Sequence, residues 1–169
     1  MKEYIYQQVE QLKKKFKTSD PFEILEAMHV QIWQTPQDCK MKGFCFFANH
    51  TFYISIDPEL SDQMKKIVAA HELGHIILHK EQLKTATMTD YSLNNYQKDT
   101  EYEANLFAAE LLLSDEEIKN GVSENIGYFT LCSKLNITPM IMSFKLFSMC
   151  GRGYSYNLPI EIDSRCLGR

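Results

Sequence analysis

The sequence predicts an α+β domain, mostly helical, with a small sheet packed beside one buried helix. Three stretches carry this reading. Ala69-Ala70-His71-Glu72-Leu73-Gly74-His75-Ile76-Ile77-Leu78-His79, with Ile67 and Val68 before it, is apolar almost all round apart from its histidines and Glu72, as a helix inside a core must be. Phe44-Cys45-Phe46-Phe47 and Thr51-Phe52-Tyr53-Ile54-Ser55-Ile56 flank Ala48-Asn49-His50 in the manner of a β-hairpin. Thr100–Leu113 is rich in Ala and Leu, both strong helix formers, and further helical segments follow it.

Residues 1–17 place Tyr4, Ile5, Val9, Leu12 and Phe16 at helical spacing, with Lys13, Lys14, Lys15 and Lys17 expected on the solvated face. Thr18-Ser19-Asp20-Pro21 stops this helix and starts a second, with Asp20 as N-cap and Pro21 at the first helical position. That helix carries Phe22, Ile24, Leu25 and Met28 and should end near His29. Val30-Gln31-Ile32-Trp33 alternates like a short strand, and a polar turn region over 35–43 leads through Gly43 into the hairpin. In the second hairpin strand Phe52, Ile54 and Ile56 share one face and Thr51, Tyr53 and Ser55 the other. A one-sided sheet on the histidine helix fits that pattern. The Thr51–Ile56 strand reads equally as a structural edge or as an edge to which an extended peptide adds. His50 reads as a solvated turn residue.

The central helix should run from Asp62 to Lys80. Residues 81–99 are polar and read as a loop or short helical excursion over the site. They carry Tyr91 and Tyr96, either of which could stabilise an oxyanion, although a tyrosine in a polar loop is more often a packing residue. Ser114-Asp115-Glu116-Glu117 is an N-cap box for a short helix ending at Asn120-Gly121. Glu124–Met149 gives two more helices, the second opened by Thr138-Pro139, and the tail from Gly151 reads as irregular. With no repeats or low-complexity segments, residues 1–169 read as one domain, with a core over 18–113 and a helical part over 114–150.

The chemistry lies in one HExxH. Residues four apart on a helix lie on one face, so His71 and His75 can present two imidazoles to one metal ion. Glu72 is turned about 100° from His71 and can serve as a base without being a ligand. Two His ligands, a neighbouring base and an open position are the makings of a zinc hydrolase site. Only five histidines are present and three fall here at four-residue spacing, and burying them with a Glu would be costly without partners. For the third ligand Glu101, Glu103 and His79 compete. Two helical turns put His71 and His79 about 11 Å apart along the axis, too far for one ion that also holds His75. Glu101 and Glu103 are about 200° apart around their helix, so one of them can face the metal. Glu101 leads the row Ala104, Asn105, Ala108, Leu111 and Leu112, whose small residues permit close helix packing, and is preferred. Asn105 is then placed to bond the far nitrogen of a ligating His, a Glu-x-x-x-Asn spacing similar to the Glu-x-x-x-Asp of thermolysin-like zincins.

The formal net charge of −4 argues against a general nucleic-acid or membrane-surface binder. Lys134 and Lys145 are the only basic residues between 128 and 147, too few for a phosphate footprint. The five cysteines, Cys39, Cys45, Cys132, Cys150 and Cys166, have no disulfide-like spacing and fit small thiols in a reducing cytoplasm. The N-terminus lacks the apolar run of a signal peptide, and no stretch approaches the length of a transmembrane helix.

Ala70-His71-Glu72-Leu73-Gly74-His75 with Leu78-His79, together with Glu101-x-x-Ala104-Asn105-x-Phe107-Ala108-Ala109-x-Leu111-Leu112, resembles the ImmA/IrrE-type metallopeptidases over roughly residues 20–148. The resemblance implies a zincin-like domain, a C-terminal part with helix-turn-helix character, a zinc cofactor, and cleavage of a repressor-type protein in a mobile-element or stress-response setting. Ser114 stands where the family usually has Pro, which alters a helix end and leaves the metal chemistry alone. The expected activity is therefore zinc-dependent hydrolysis of a peptide bond in a regulatory protein. The competing expectation is a catalytically weak, metal-containing module that binds a repressor without cutting it.

Overall fold

The computed structural model describes residues 1–36, 39–85 and 98–156. Helix α1 (Lys2–Phe16) buries Ile5, Val9 and Leu12 and stops at Lys17, which turns left-handed at φ 58°. Lys14, Lys15 and Lys17 are exposed as expected. Lys13 departs from that expectation: its ammonium donates to the Glu110 carbonyl at 2.8 Å, satisfying one of the carbonyls that a helix end leaves without an intrahelical partner. Helix α2 (Pro21–Ala27) begins as its sequence dictates, with the Asp20 carboxylate accepting from the Phe22 N–H at 2.9 Å.

Strands β1 (Gln31–Gln34), β2 (Gly43–Ala48) and β3 (Thr51–Ile56) form a sheet in the order β1-β3-β2. Asn49 and His50, at φ 47° and 61°, make the two-residue turn whose twist suits a hairpin. β3 pairs antiparallel with β2, from Gly43↔Ile56 to Ala48↔Thr51, and parallel with β1, from Gln31↔Tyr53 to Gln34↔Ile56. The Thr51–Ile56 strand is therefore central, and the expectation that it offers a docking edge is wrong. Both rows of its backbone groups are already used, and the edges belong to β1 and β2. On the inner side Cys45, Ile54 and Ile56 are buried. On the other, Trp33, Phe44, Phe46 and Tyr53 make a run of ring contacts, with Phe46 and Tyr53 stacked at 4.9 Å.

Helix α3 (Asp62–Leu78) starts at Ser61, whose hydroxyl accepts from the Met64 N–H, and is buried without a break from Ile67 to Ile76. His79 ends it, and the short α4 (Lys80–Thr85) follows at once. Tyr91, Tyr96 and Cys166 lie outside the described residues. Helix α5 (Lys98–Leu112) packs against α3. Ser114 caps α6 (Asp115–Ser123) with a reciprocal Ser114–Glu117 box. That helix runs past Asn120-Gly121, where it was expected to end. Gly121 is a packing site within it: a methyl there would meet Leu131 at 2.7 Å. Helix α7 (Tyr128–Lys134) is joined by a turn to α8 (Pro139–Gly151), where Thr138 is the N-cap.

The hydrophobic core is continuous from Ile5 in α1 to Met149 in α8. α8 buries Ile141, Met142, Phe144, Lys145, Leu146 and Met149, so its side chains are committed to the interior. Lys145 is 1% exposed and bonded to Glu110 and Asp115, while Lys134 pairs with Glu124 at 3.2 Å. Lys145 is therefore out of reach of a phosphate, and Lys134 is the one exposed cation of this pair. The four cysteines among the described residues are free thiols. No helix among these residues is long and apolar enough to cross a membrane.

Candidate metal centre

One turn of α3 separates His71 from His75, and their Nε2 atoms converge to 3.2 Å. Glu101, from the first turn of α5, completes the group: Oε1 lies 3.3 Å from His75 Nε2 and Oε2 3.4 Å from His71 Nε2. The three ligand atoms fall within 4.8 Å of one another, and among the described residues this is the one cluster of His, Cys, Asp and Glu able to hold a metal. Close helix contact makes the convergence possible. A Cβ on Gly74 would stand 3.2 Å from both the Ala104 Cα and its carbonyl oxygen, so the Gly and Ala at the crossing let the two backbones approach.

The donor set fits a cation. Glu101 Oε2 is buried and has no hydrogen-bond partner, which is costly for a carboxylate oxygen unless a positive charge meets it. Two imidazole nitrogens and a carboxylate, held in a buried site, are a ligand set that suits zinc.

The far nitrogens are also occupied. His71 Nδ1 lies 3.0 Å from Asn105 Oδ1, the position expected for Asn105. His75 Nδ1 lies 3.1 Å from His79 Nδ1, and His79 Nε2 lies 2.9 Å from Glu103 Oε2. His79 and Glu103, the other candidates for the third ligand, thus meet each other on the outer side of His75, while Glu101 faces the pair of Nε2 atoms.

Glu72 is buried beside the trio. Burial pushes its carboxyl up to about 7, against the opposing pull of His71 and of hydrogen bonds from the Cys45 thiol and backbone. A cation between His71 and His75 would draw it back down. Burial likewise lowers His75, to about 4. For Glu101 burial would raise the pKa, but the adjacent His71 and His75 rings outweigh it and hold the carboxylate ionised well below the usual range. His71 shows the converse balance: burial lowers it, and the Glu101 and Glu72 carboxylates bring it above the ordinary value.

Two participants escaped the sequence reading. Cys45, expected only as a small thiol, bonds Glu72. Gly43 was read as the end of a turn region. It begins β2 where a methyl would strike Val68 at 2.4 Å and approach Glu72 Oε1 to 3.7 Å. A glycine just before an aromatic strand was the only available signal for this close approach.

Residues 25–147 match the family described as the IrrE N-terminal-like domain, a peptidase family. The chain is 36% identical over 107 residues to uncharacterized immunity region protein 2 of Bacillus phage phi105, covering 63% of this chain and 66% of that one. It is 32% identical over 117 residues to the metallopeptidase ImmA of Bacillus subtilis strain 168, covering 66% of each chain. The match thus spans just under two thirds of the length of each of these relatives.

Proposed function

The chain belongs to the IrrE N-terminal-like domain family of ImmA/IrrE-type metallopeptidases, and from that premise we propose that it is a zinc-dependent endopeptidase cutting a regulatory, repressor-type protein. The observation that carries this reading is the convergence of His71 Nε2, His75 Nε2 and the Glu101 carboxylate beside a buried Glu72. His71, His75 and Glu101 would hold the ion. When bound, zinc polarises the scissile carbonyl and lowers the pKa of the attacking water to about 7. Glu72 accepts that water's proton on its carboxylate and returns it to the leaving amine. The Cys45 thiol and backbone N–H hold the carboxylate in place, and the apolar surroundings of α3 keep bulk water from competing for it. Of the two sheet edges, β2 is the one whose backbone adjoins Glu72, so an extended substrate would be held there.

In this reading the sheet beside the HExxH helix makes a zincin-like core over 18–113. The α7–turn–α8 pair gives the part over 114–150 its helix-turn-helix character without a nucleic-acid role. The relatives, a phage immunity-region protein and a metallopeptidase, support a peptidase acting on a repressor-type substrate. The test is incubation with a candidate repressor, with and without a chelator, read by mass spectrometry. Two fragments whose masses sum to the intact chain plus one water, absent with chelator, are expected. A repressor left intact by zinc-loaded protein under every condition would leave only the binding-module reading.

A further inference from the structure

His79 stands outside the ligand trio, yet it is buried at 6% exposure and its ring lies beside that of His75. It ends α3, its N–H bonded to the His75 carbonyl at 2.9 Å. The protons on this side of the site can be assigned from both ends. A neutral imidazole that offers its Nε2 lone pair to a metal keeps its one N–H at Nδ1. His75 Nδ1–H therefore donates to His79 Nδ1 across 3.1 Å. With Nδ1 accepting, His79 carries its own proton on Nε2 and donates it to Glu103 Oε2 across 2.9 Å. A carboxylate only accepts, so the far end enforces the same direction as the metal end. The two ends thus agree on one direction of donation along the line.

We propose that His79 is a positioning residue which, oriented by Glu103, fixes the tautomer and ring plane of His75 so that Nε2 faces the metal. This rests on the metal reading above and deepens it. His71 receives the same service from a single residue, Asn105 Oδ1 at 3.0 Å. Asn105 is on α5, two residues beyond Glu103, so both imidazoles of α3 are oriented from the helix that also carries Glu101. α5 then sets the third ligand and the posture of the other two.

A purely structural His79, filling space at the helix end, would be replaced as well by Phe as by Asn. The positioning role separates them. The Asn side-chain oxygen can take the acceptor position of His79 Nδ1, whereas Phe keeps the ring without an acceptor. Zinc affinity of the full chain is measured by competition with a chromophoric chelator, and metal-free stability by urea unfolding. His79→Phe should weaken zinc by about 10–100-fold, and His79→Asn should recover most of that loss. Glu103→Gln, whose amide oxygen still accepts from His79, should stay close to wild type, and Glu103→Ala should fall below it. Nitrogen NMR of the zinc-loaded chain should find the ring proton of His75 on Nδ1 and that of His79 on Nε2. Wild-type zinc affinity in His79→Phe, or equal losses in Phe and Asn that track their unfolding curves, overturns the proposal. So does the opposite tautomer. A wild-type chain that takes up no zinc overturns the metal reading and this inference together, and is told apart because the unmutated chain fails.

Discussion

Glu72 and Glu101 are both carboxylates beside His71, but their surroundings pull them in opposite directions. Glu101 has its two oxygens 3.3 and 3.4 Å from the Nε2 atoms of His75 and His71 and stays ionised, whereas Glu72 is raised by burial to about 7. An ionised, orphaned oxygen facing both Nε2 atoms suits a ligand, and a buried carboxylate beside them, which a cation would draw down into its ionised form, suits a base. Two outcomes follow from this division. Glu72→Gln should lower peptide hydrolysis by at least about 100-fold, the smaller end of the range for a lost general base. Elemental analysis should still find one zinc per chain, and hydrolysis at the native rate would show that another group activates the water. Glu101→Ala should instead release zinc, as should replacement of both His71 and His75 by Ala. Glu103→Ala should keep zinc with reduced affinity. Metal loss in Glu103→Ala with retention in Glu101→Ala would reverse the ligand assignment. The histidine pair was legible because the four-residue spacing of a helix is local. The partnership of His79 with Glu103 was not, because it joins the end of one helix to the face of another 24 residues away.

Among the elements, the crossing of α3 and α5 decides the site, and Gly74 sits in its narrowest part. Ala104 Cα and O at 3.2 Å and Phe107 Cδ1 at 3.1 Å from an added Cβ leave no room for a methyl without a shift of α5. Gly74→Ala would gain up to about 1 kcal/mol in helix propensity and lose about 1–3 kcal/mol to overpacking. The expected net effect is a modest loss of metal-free stability in urea, with a larger loss of zinc affinity because Glu101 rides on the displaced helix. Increased stability with unchanged zinc binding would show that α5 retreats freely. The helix starts at Asp20, Ser114 and Thr138 were legible because a cap is a contact across two or three residues, whereas the role of Gly74 depends on a helix about 30 residues further along the chain. The strand order was hidden. The parallel β1–β3 pair joins segments on either side of β2, and the alternation in Thr51–Ile56 looks the same in a central strand as at an edge.

At the scale of the whole molecule, a buried charge network ties the helices together, and nothing in the sequence pattern announced it. Lys145 Nζ lies 2.6 Å from Glu110 Oε2 and 2.7 Å from Asp115 Oδ1, and Arg152 grips Asp115 through two bonds of 2.6 and 2.7 Å. The Arg152 guanidinium also lies 3.9 Å over the Tyr6 ring, so α1, α5, α6 and α8 all meet here. Burial alone would raise the Asp115 carboxyl, but hydrogen bonds from Arg152 and Lys145 dominate and hold it well below the usual range. A carboxylate depressed in the folded state adds stability that is complete above its unfolded pKa of about 3.9 and is lost as pH falls toward the folded value. The urea midpoint should therefore drop between about pH 5 and pH 2, and Asp115→Asn should flatten that slope. The same network makes Lys145 costly to remove alone. Lys145 and Glu110 are each 1% exposed, so Lys145→Met leaves two acids facing Arg152 and should destabilise the fold by about 3–5 kcal/mol. Removing both charges, as Lys145→Met with Glu110→Gln, should recover much of that loss, because the penalty comes from the uncompensated charge more than from the absent pair. A single substitution costing less than about 1 kcal/mol in urea unfolding would mean that water already reaches Glu110 in the native state and that the helices are held by their apolar contacts alone.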